Sequence, residues 1–149
     1  MAYLLDTSIL VRLANVADAL HPVADAAVAK LFLGNQLLHV APQNLIEFRS
    51  VATRPSAANG LGLSSTEAET KSAIFETSFM LLTETPDIFP AWKALVSRLG
   101  VIGKQVHDAR LVAVCQVHQV TNLLTFNTNH FATLASGVPG LSVVDPAKV

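Results

Sequence analysis

Tyr3, Leu4 and Leu5 form an unbroken apolar run, the pattern of a short strand covered on both faces, and the run stops at Asp6-Thr7-Ser8. Apolar residues return at Ile9, Leu10 and Leu13 with helical spacing. A strand therefore passes into a helix through a polar junction, with Asp6 at the strand's carboxyl end. The helix fades near Asn15. His21-Pro22 opens a second amphipathic helix, with Val23, Ala27, Leu31 and Phe32 apolar and Gly34-Asn35 as its stop. Residues 37–40 read as a strand, and Pro42 as the first residue of a third helix that runs through Leu45, Ile46, Phe48 and Val51 to Arg54-Pro55.

The second half repeats the alternation. A Pro/Ser/Asn/Gly loop over 55–62 precedes Ser64 and Glu67, a capping-box pair ahead of a helix that reaches about Met80. Residues 81–83 predict a short strand, and 87–99 a helix with Ile88, Trp92, Leu95 and Val96 inward. Val106-His107-Asp108-Ala109 starts a small-residue helix over 109–118. A strand at 122–125 runs out into the polar stretch from Phe126 to Phe131, and a last strand covers 141–144. Such alternation predicts one α/β domain over 1–149, an α/β/α sandwich with right-handed parallel crossovers. No internal repeat or linker interrupts it.

Composition narrows the function. The chain has 149 residues, 51% of them hydrophobic and only 14% charged, enough for a substantial core and suggestive of association. A net charge of −1 argues against nucleic-acid binding by bulk electrostatics; such contact would rest on a few Arg and Lys residues or on a metal. Cys115 is the only cysteine, so neither a disulfide framework nor a zinc cluster is expected, and it reads as a small buried hydrophobe. The N-terminus has no basic segment before Asp6, and no apolar run approaches the ~20 residues needed to span a bilayer. The expectation is a cytoplasmic protein away from the membrane.

Four polar positions recur at comparable places. Asp6 follows the first strand, Glu47 lies in the helix after the second, Asp108 begins a late helix, and Asn127 follows the strand ending at Thr125. In a parallel sheet these positions collect at the carboxyl edge, where ligands bind. Each has a plain structural role open to it, as a cap, a solvated helix residue or a turn residue. Together they point to a shared cleft. Converging carboxylates raise one another's pKa unless a cation is present, and Mg²⁺ or Mn²⁺ suits oxygen ligands. Such a metal serves phosphodiester hydrolysis.

At these residues the chain resembles the PIN-domain ribonucleases, in particular the VapC toxins of toxin–antitoxin pairs. The resemblance rests on Leu4-Leu5-Asp6-Thr7-Ser8, Asn44-Leu45-Ile46-Glu47-Phe48, His107-Asp108-Ala109-Arg110 and Leu124-Thr125-Phe126-Asn127, in that order, and covers nearly the whole chain. It implies a central five-stranded parallel sheet, Asp6, Glu47 and Asp108 as metal-binding catalytic acids, and Thr7 or Ser8 assisting at the first. It also implies an RNA substrate, a homodimer and a small antitoxin that inserts a segment at the active-site groove. Many relatives carry a fourth carboxylate at or just after the position of Asn127, where this chain has Asn127-Thr128-Asn129-His130. Asn127 is therefore expected to act through its carbonyl oxygen or through water, and a second metal is less secure.

Thr125 joins Thr7 and Ser8 as a supporting residue, and Arg12, Arg49, Arg54, Lys104 and Arg110 are candidates for backbone-phosphate contacts. His107 and His130 read as structural or solvated. Trp92, Phe75, Phe79 and Phe89 read as core or dimer packing, with the helices over 64–80 and 87–99 as the dimer surface. The other reading of the site is a PIN-like module that binds RNA or protein with little turnover. An acid-cluster phosphatase would want a second Asp where Ser8 stands, a receiver domain would want an acidic pair on one loop, and no Gly-x-Gly-x-x-Gly follows the first strand.

Overall fold

A computed structural model describes residues 1–149. Its spine is a parallel sheet of β1 (Ala2–Leu5), β2 (Leu37–Val40), β3 (Met80–Leu81), β4 (Asn122–Leu124) and β5 (Ser142–Val144), in the order β3-β2-β1-β4-β5. Seven helices cover it: α1 (Thr7–Ala14), α2 (His21–Leu33), α3 (Pro42–Thr53), α4 (Ser65–Ser78), α5 (Ile88–Leu99), α6 (Gln105–His118) and α7 (Thr128–Ser136). The expected α/β/α sandwich with a five-stranded parallel sheet is what the chain forms.

The apolar run in β1 has the predicted meaning. Leu4 turns to one face of the sheet and Tyr3 and Leu5 to the other, the period-2 alternation of a strand. Leu123 joins Leu4 in a core built with Ile88 and Leu95 of α5, Leu111, Val112, Val114 and Cys115 of α6, and Phe131 and Leu134 of α7. Leu38, Val40 and Leu124 join Tyr3 and Leu5 in the second core, under Ile9 and Leu10 of α1, Leu31 of α2, Phe48 of α3 and Phe75 of α4. Phe75 meets Phe48 edge-to-face at 5.1 Å and stacks on Phe79 at 6.2 Å. Truncating Phe48, fully buried, to Ala would cost about 3–5 kcal/mol. Cys115 is buried and free, as its sequence context suggested.

The differences from expectation are local. α7 falls where only a polar stretch was expected, because Asn127-Thr128-Asn129 resembles a turn while Phe131, Leu134 and Ala135 supply a helical apolar stripe. β3 is Met80–Leu81 rather than 81–83; its side chains are exposed, and it is specified by pairing His39↔Met80 and Val40↔Leu81 at the sheet edge. Phe32 is 68% exposed and Phe89 64%, so neither is a core residue, and Phe89 rests on Trp92 with centroids 5.7 Å apart. The Ser64–Glu67 capping box forms as read, each side chain bonding the other's backbone N–H at 3.1 Å. No helix is long and apolar enough to cross a membrane.

Candidate functional site

β1 delivers Asp6 to the carboxyl edge of the sheet, where its extended backbone makes it the N-cap of α1. Only 4% exposed, the residue has its carboxylate held at one oxygen. Oδ2 accepts the Ser8 and Thr125 hydroxyls, each at 2.7 Å, and the Ser8 N–H at 3.4 Å. Those hydroxyls are themselves fixed: Phe126 N–H donates to Ser8 Oγ at 3.2 Å, and Asn127 N–H to Thr125 Oγ1 at 3.0 Å. Oδ1 has no protein partner. Three donors satisfy the buried charge on one side and leave the other oxygen for a ligand.

Glu47, on the second turn of α3, is held at both oxygens. Thr7 Oγ1 donates to Oε2 at 3.0 Å and Gln43 Nε2 to Oε1 at 2.7 Å. Gln43 Nε2 also donates to the His107 carbonyl at 2.8 Å, and Gln43 Oε1 accepts from Arg110 at 3.2 Å. One buried amide therefore ties the helix of Glu47 to the helix of Asp108. Asn44 supports the same corner, accepting Ala41 N–H at 2.9 Å and donating to Thr7 Oγ1 at 3.4 Å. Gln43 does not stand among the sequence candidates, and Asn44 stands there only within the stretch that carries the family resemblance. The available signal was Asn44 three residues into a helix opened by Pro42, half of a capping-box pattern.

Asp108 stands in the first turn of α6, half-buried, and no protein group donates to its carboxylate. Its pKa is pushed from the ordinary 3.8 to about 6, first by burial and then by the charges of Asp6 and Glu47, with His130 and His107 pulling the other way.

These residues line a cleft of about 570 Å³, together with Thr7, Ser8, Arg12, Asp18 and Asn127. Its far wall is the loop at Asn59, Gly60 and Leu61, tied to the end of α3 by Leu61 N–H to Val51 O at 3.1 Å and Gly62 N–H to Arg54 O at 2.8 Å. Any Cβ on Gly60 would sit 2.0 Å from the Arg54 carbonyl oxygen, so only glycine lets the loop lie this close.

Asp6, Glu47, Asp108 and Asn127 thus share one cleft, with Thr7 and Ser8 lining it and Thr125 directly behind. Of the proposed phosphate contacts only Arg12 lines it. Arg49 pairs with Glu69 in a separate groove between α3 and α4, and Arg110 pairs with Glu84 at 2.6 Å. Arg54 and Lys104 are exposed and outside the lining. The carboxylates are not gathered into a ready-made metal shell. Their chemistry nevertheless fits a hard divalent cation: every donor is oxygen, Asp6 Oδ1 is free, and the charge raising the Asp108 pKa is what a cation would neutralise.

Fold and cleft define a doubly wound parallel α/β protein with an acidic site at the carboxyl edge of its strands. The PIN domain profile matches residues 3–136, and the chain belongs to the PIN domain family. No curated protein matches it significantly. Among solved structures it is similar to VapBC2 from Rickettsia felis bound to a DNA fragment from its promoter, with a TM-score of 0.72, 17% identity, and coverage of 97% of this chain and 98% of that one. It is similar to VapBC-1 from nontypeable Haemophilus influenzae at a TM-score of 0.70 and 18% identity, covering 98% of each chain. Mycobacterium tuberculosis VapC20, a Sarcin-Ricin loop cleaving toxin, aligns at a TM-score of 0.64 and 22% identity over 87% of this chain and 93% of its own.

Proposed function

We propose that this protein is a Mg²⁺- or Mn²⁺-dependent endoribonuclease, the toxin of a toxin–antitoxin pair, acting in the cytoplasm as a homodimer restrained by a small antitoxin. The observation that carries the reading is the sharing of one cleft by Asp6, Glu47 and Asp108, with Asp108 pushed up to about 6 by burial and by the other two. The structural neighbours support the biology: VapC20 is a Sarcin-Ricin loop cleaving toxin, and the Rickettsia and Haemophilus structures are of VapBC2 and VapBC-1. Exposed Ile74 on α4 and Phe89 on α5 support a dimer surface on the helices named from the sequence.

Asp6 Oδ1, Glu47 and Asp108 would hold the ion, with water completing its shell. A bound divalent cation lowers the pKa of water and stabilises charge on a phosphoryl oxygen. The chain's own residues organise that chemistry. Ser8 and Thr125 fix the Asp6 carboxylate so that it does not rotate, and Gln43 and Thr7 fix Glu47. Asn127, at the cleft rim, presents an amide to substrate or water without adding charge.

The test is cleavage of a mixed RNA pool by the purified chain with Mg²⁺ or Mn²⁺, with EDTA, and with Asp6→Asn. Cleavage should require metal and vanish in the variant while its fold persists. Equal cleavage by metal-free protein refutes the mechanism, and RNA bound but never cut favours the binding-module reading. Light scattering should give about twice the chain mass of 15.8 kDa.

A further inference from the structure

The cleft is strongly one-sided in charge. Asp6, Asp18, Glu47 and Asp108 line it, and Arg12 is the one cation among the lining residues. A polyanion entering such a cleft needs a positive contact beyond the metal, and Arg12 is built to supply one. It follows Ser8 by four residues on α1, so both lie on the helix face that carries the Asp6 corner. Its guanidinium lies over the Phe126 ring at 5.4 Å, and the Phe126 N–H is anchored to Ser8 Oγ.

The donors of Arg12 are mostly unused. Nη1 donates to the Ser8 carbonyl at 3.3 Å, while Nε is buried with no hydrogen-bond partner. The nearest anion to Nε is Asp18 Oδ2 at 3.9 Å, too far for a hydrogen bond. Asp18 is held within its own turn, where its Oδ1 accepts the Leu20 N–H at 2.8 Å. Arg49 and Arg110, by contrast, make close pairs with Glu69 and Glu84.

We propose that Arg12 is the residue that grips a backbone phosphate of the RNA beside the acidic corner, and that Asp18 is an internal anion that substrate phosphate displaces electrostatically. The inference rests on the nuclease reading above. A planar guanidinium with free donors matches two phosphate oxygens at once. Asp18 occupies the same donor face weakly. It keeps the arginine in place between turnovers and lowers its affinity for substrate.

Binding of a short fluorescein-labelled single-stranded RNA, followed by anisotropy in an Asp6→Asn background across a salt series, tests this. Arg12→Gln should weaken binding about tenfold and reduce the log–log salt slope by about 0.7, the value for one neutralised phosphate in a single strand. Arg12→Lys should restore the slope but only part of the affinity, because it keeps the charge and loses the fork. Asp18→Asn, which retains the bond to Leu20, should tighten binding about threefold at low salt. In the active protein Arg12→Gln should raise KM and leave kcat nearly unchanged, a split that a merely structural arginine would not give. If RNA binds and Arg12→Gln leaves the salt slope unaltered, the assignment of Arg12 fails while the nuclease reading stands. If the Asp6→Asn protein binds no RNA and the unmodified chain cuts none, both fail.

Discussion

The two ends of the cleft are built on opposite principles. At the Asp6 end a nearly inaccessible carboxylate is locked by Ser8 and Thr125, which are themselves held by the backbone of residues 126 and 127. At the Asp108 end a half-buried carboxylate has no donor and sits near two like charges, with its pKa up at about 6. The first end is held at one oxygen by the protein itself, and the second is held at neither. A site assembled this way holds one carboxylate rigid as a reference and leaves the other to be satisfied by what binds. That arrangement accounts for carboxylates that share a cleft without forming a closed shell.

Ways to break the comparison run from large effects to small. Removing either end's charge, by Asp6→Asn or Asp108→Asn, should lower RNA cleavage by roughly 10³-fold, measured as initial rates at saturating Mg²⁺. Comparable rates in either variant would mean that its end takes no part. The ends should separate on stability instead. Thr125→Val removes a short hydrogen bond to a buried carboxylate and should destabilise the metal-free fold by about 2 kcal/mol in urea. Asp108→Asn should stabilise it, since repulsion is relieved and no hydrogen bond is lost.

The pH dependence sharpens the same contrast. Asp108 binds its proton more tightly in the folded chain, at about 6, than at its ordinary 3.8. Its cost to stability is therefore fully present above pH 6 and is relieved as the pH falls toward 4. Metal-free protein should gain stability from this group across that window, modestly because the group is partly solvated. Thermal melts of Asp108→Asn should lack that component. A smaller effect is expected at the rim: Asn127→Asp should tighten Mn²⁺ binding severalfold, and unchanged affinity would place the residue beyond the metal.

What could be read from the sequence follows the range of the forces involved. The strand–junction–helix at Asp6 and the Ser64–Glu67 box are local, so residue order alone carries them. The sharing of a cleft by Asp6, Glu47 and Asp108 followed from strand ends meeting at one edge of a parallel sheet. α7 was hidden because turn-forming residues occupy its start. Nearness in sequence also placed Arg49 in the cleft, which it does not line, while Arg110 stands behind it, bonded to Gln43 at 3.2 Å. Arg49 is only two residues from Glu47, yet it faces a different groove and a different partner. Gln43 joins α3 to α6 across 64 residues, a contact that no local pattern encodes.

The central claim is that a divalent cation joins the Asp6 end of the cleft, braced at one oxygen, to the Asp108 end, braced at neither. Calorimetric titration of Mn²⁺ into the unmodified chain and into Asp108→Asn tests it most directly. The account predicts saturable binding to the unmodified chain that weakens at least tenfold in Asp108→Asn, because the carboxylate left without a donor is the one the ion satisfies. Equal affinity in the two proteins would contradict it.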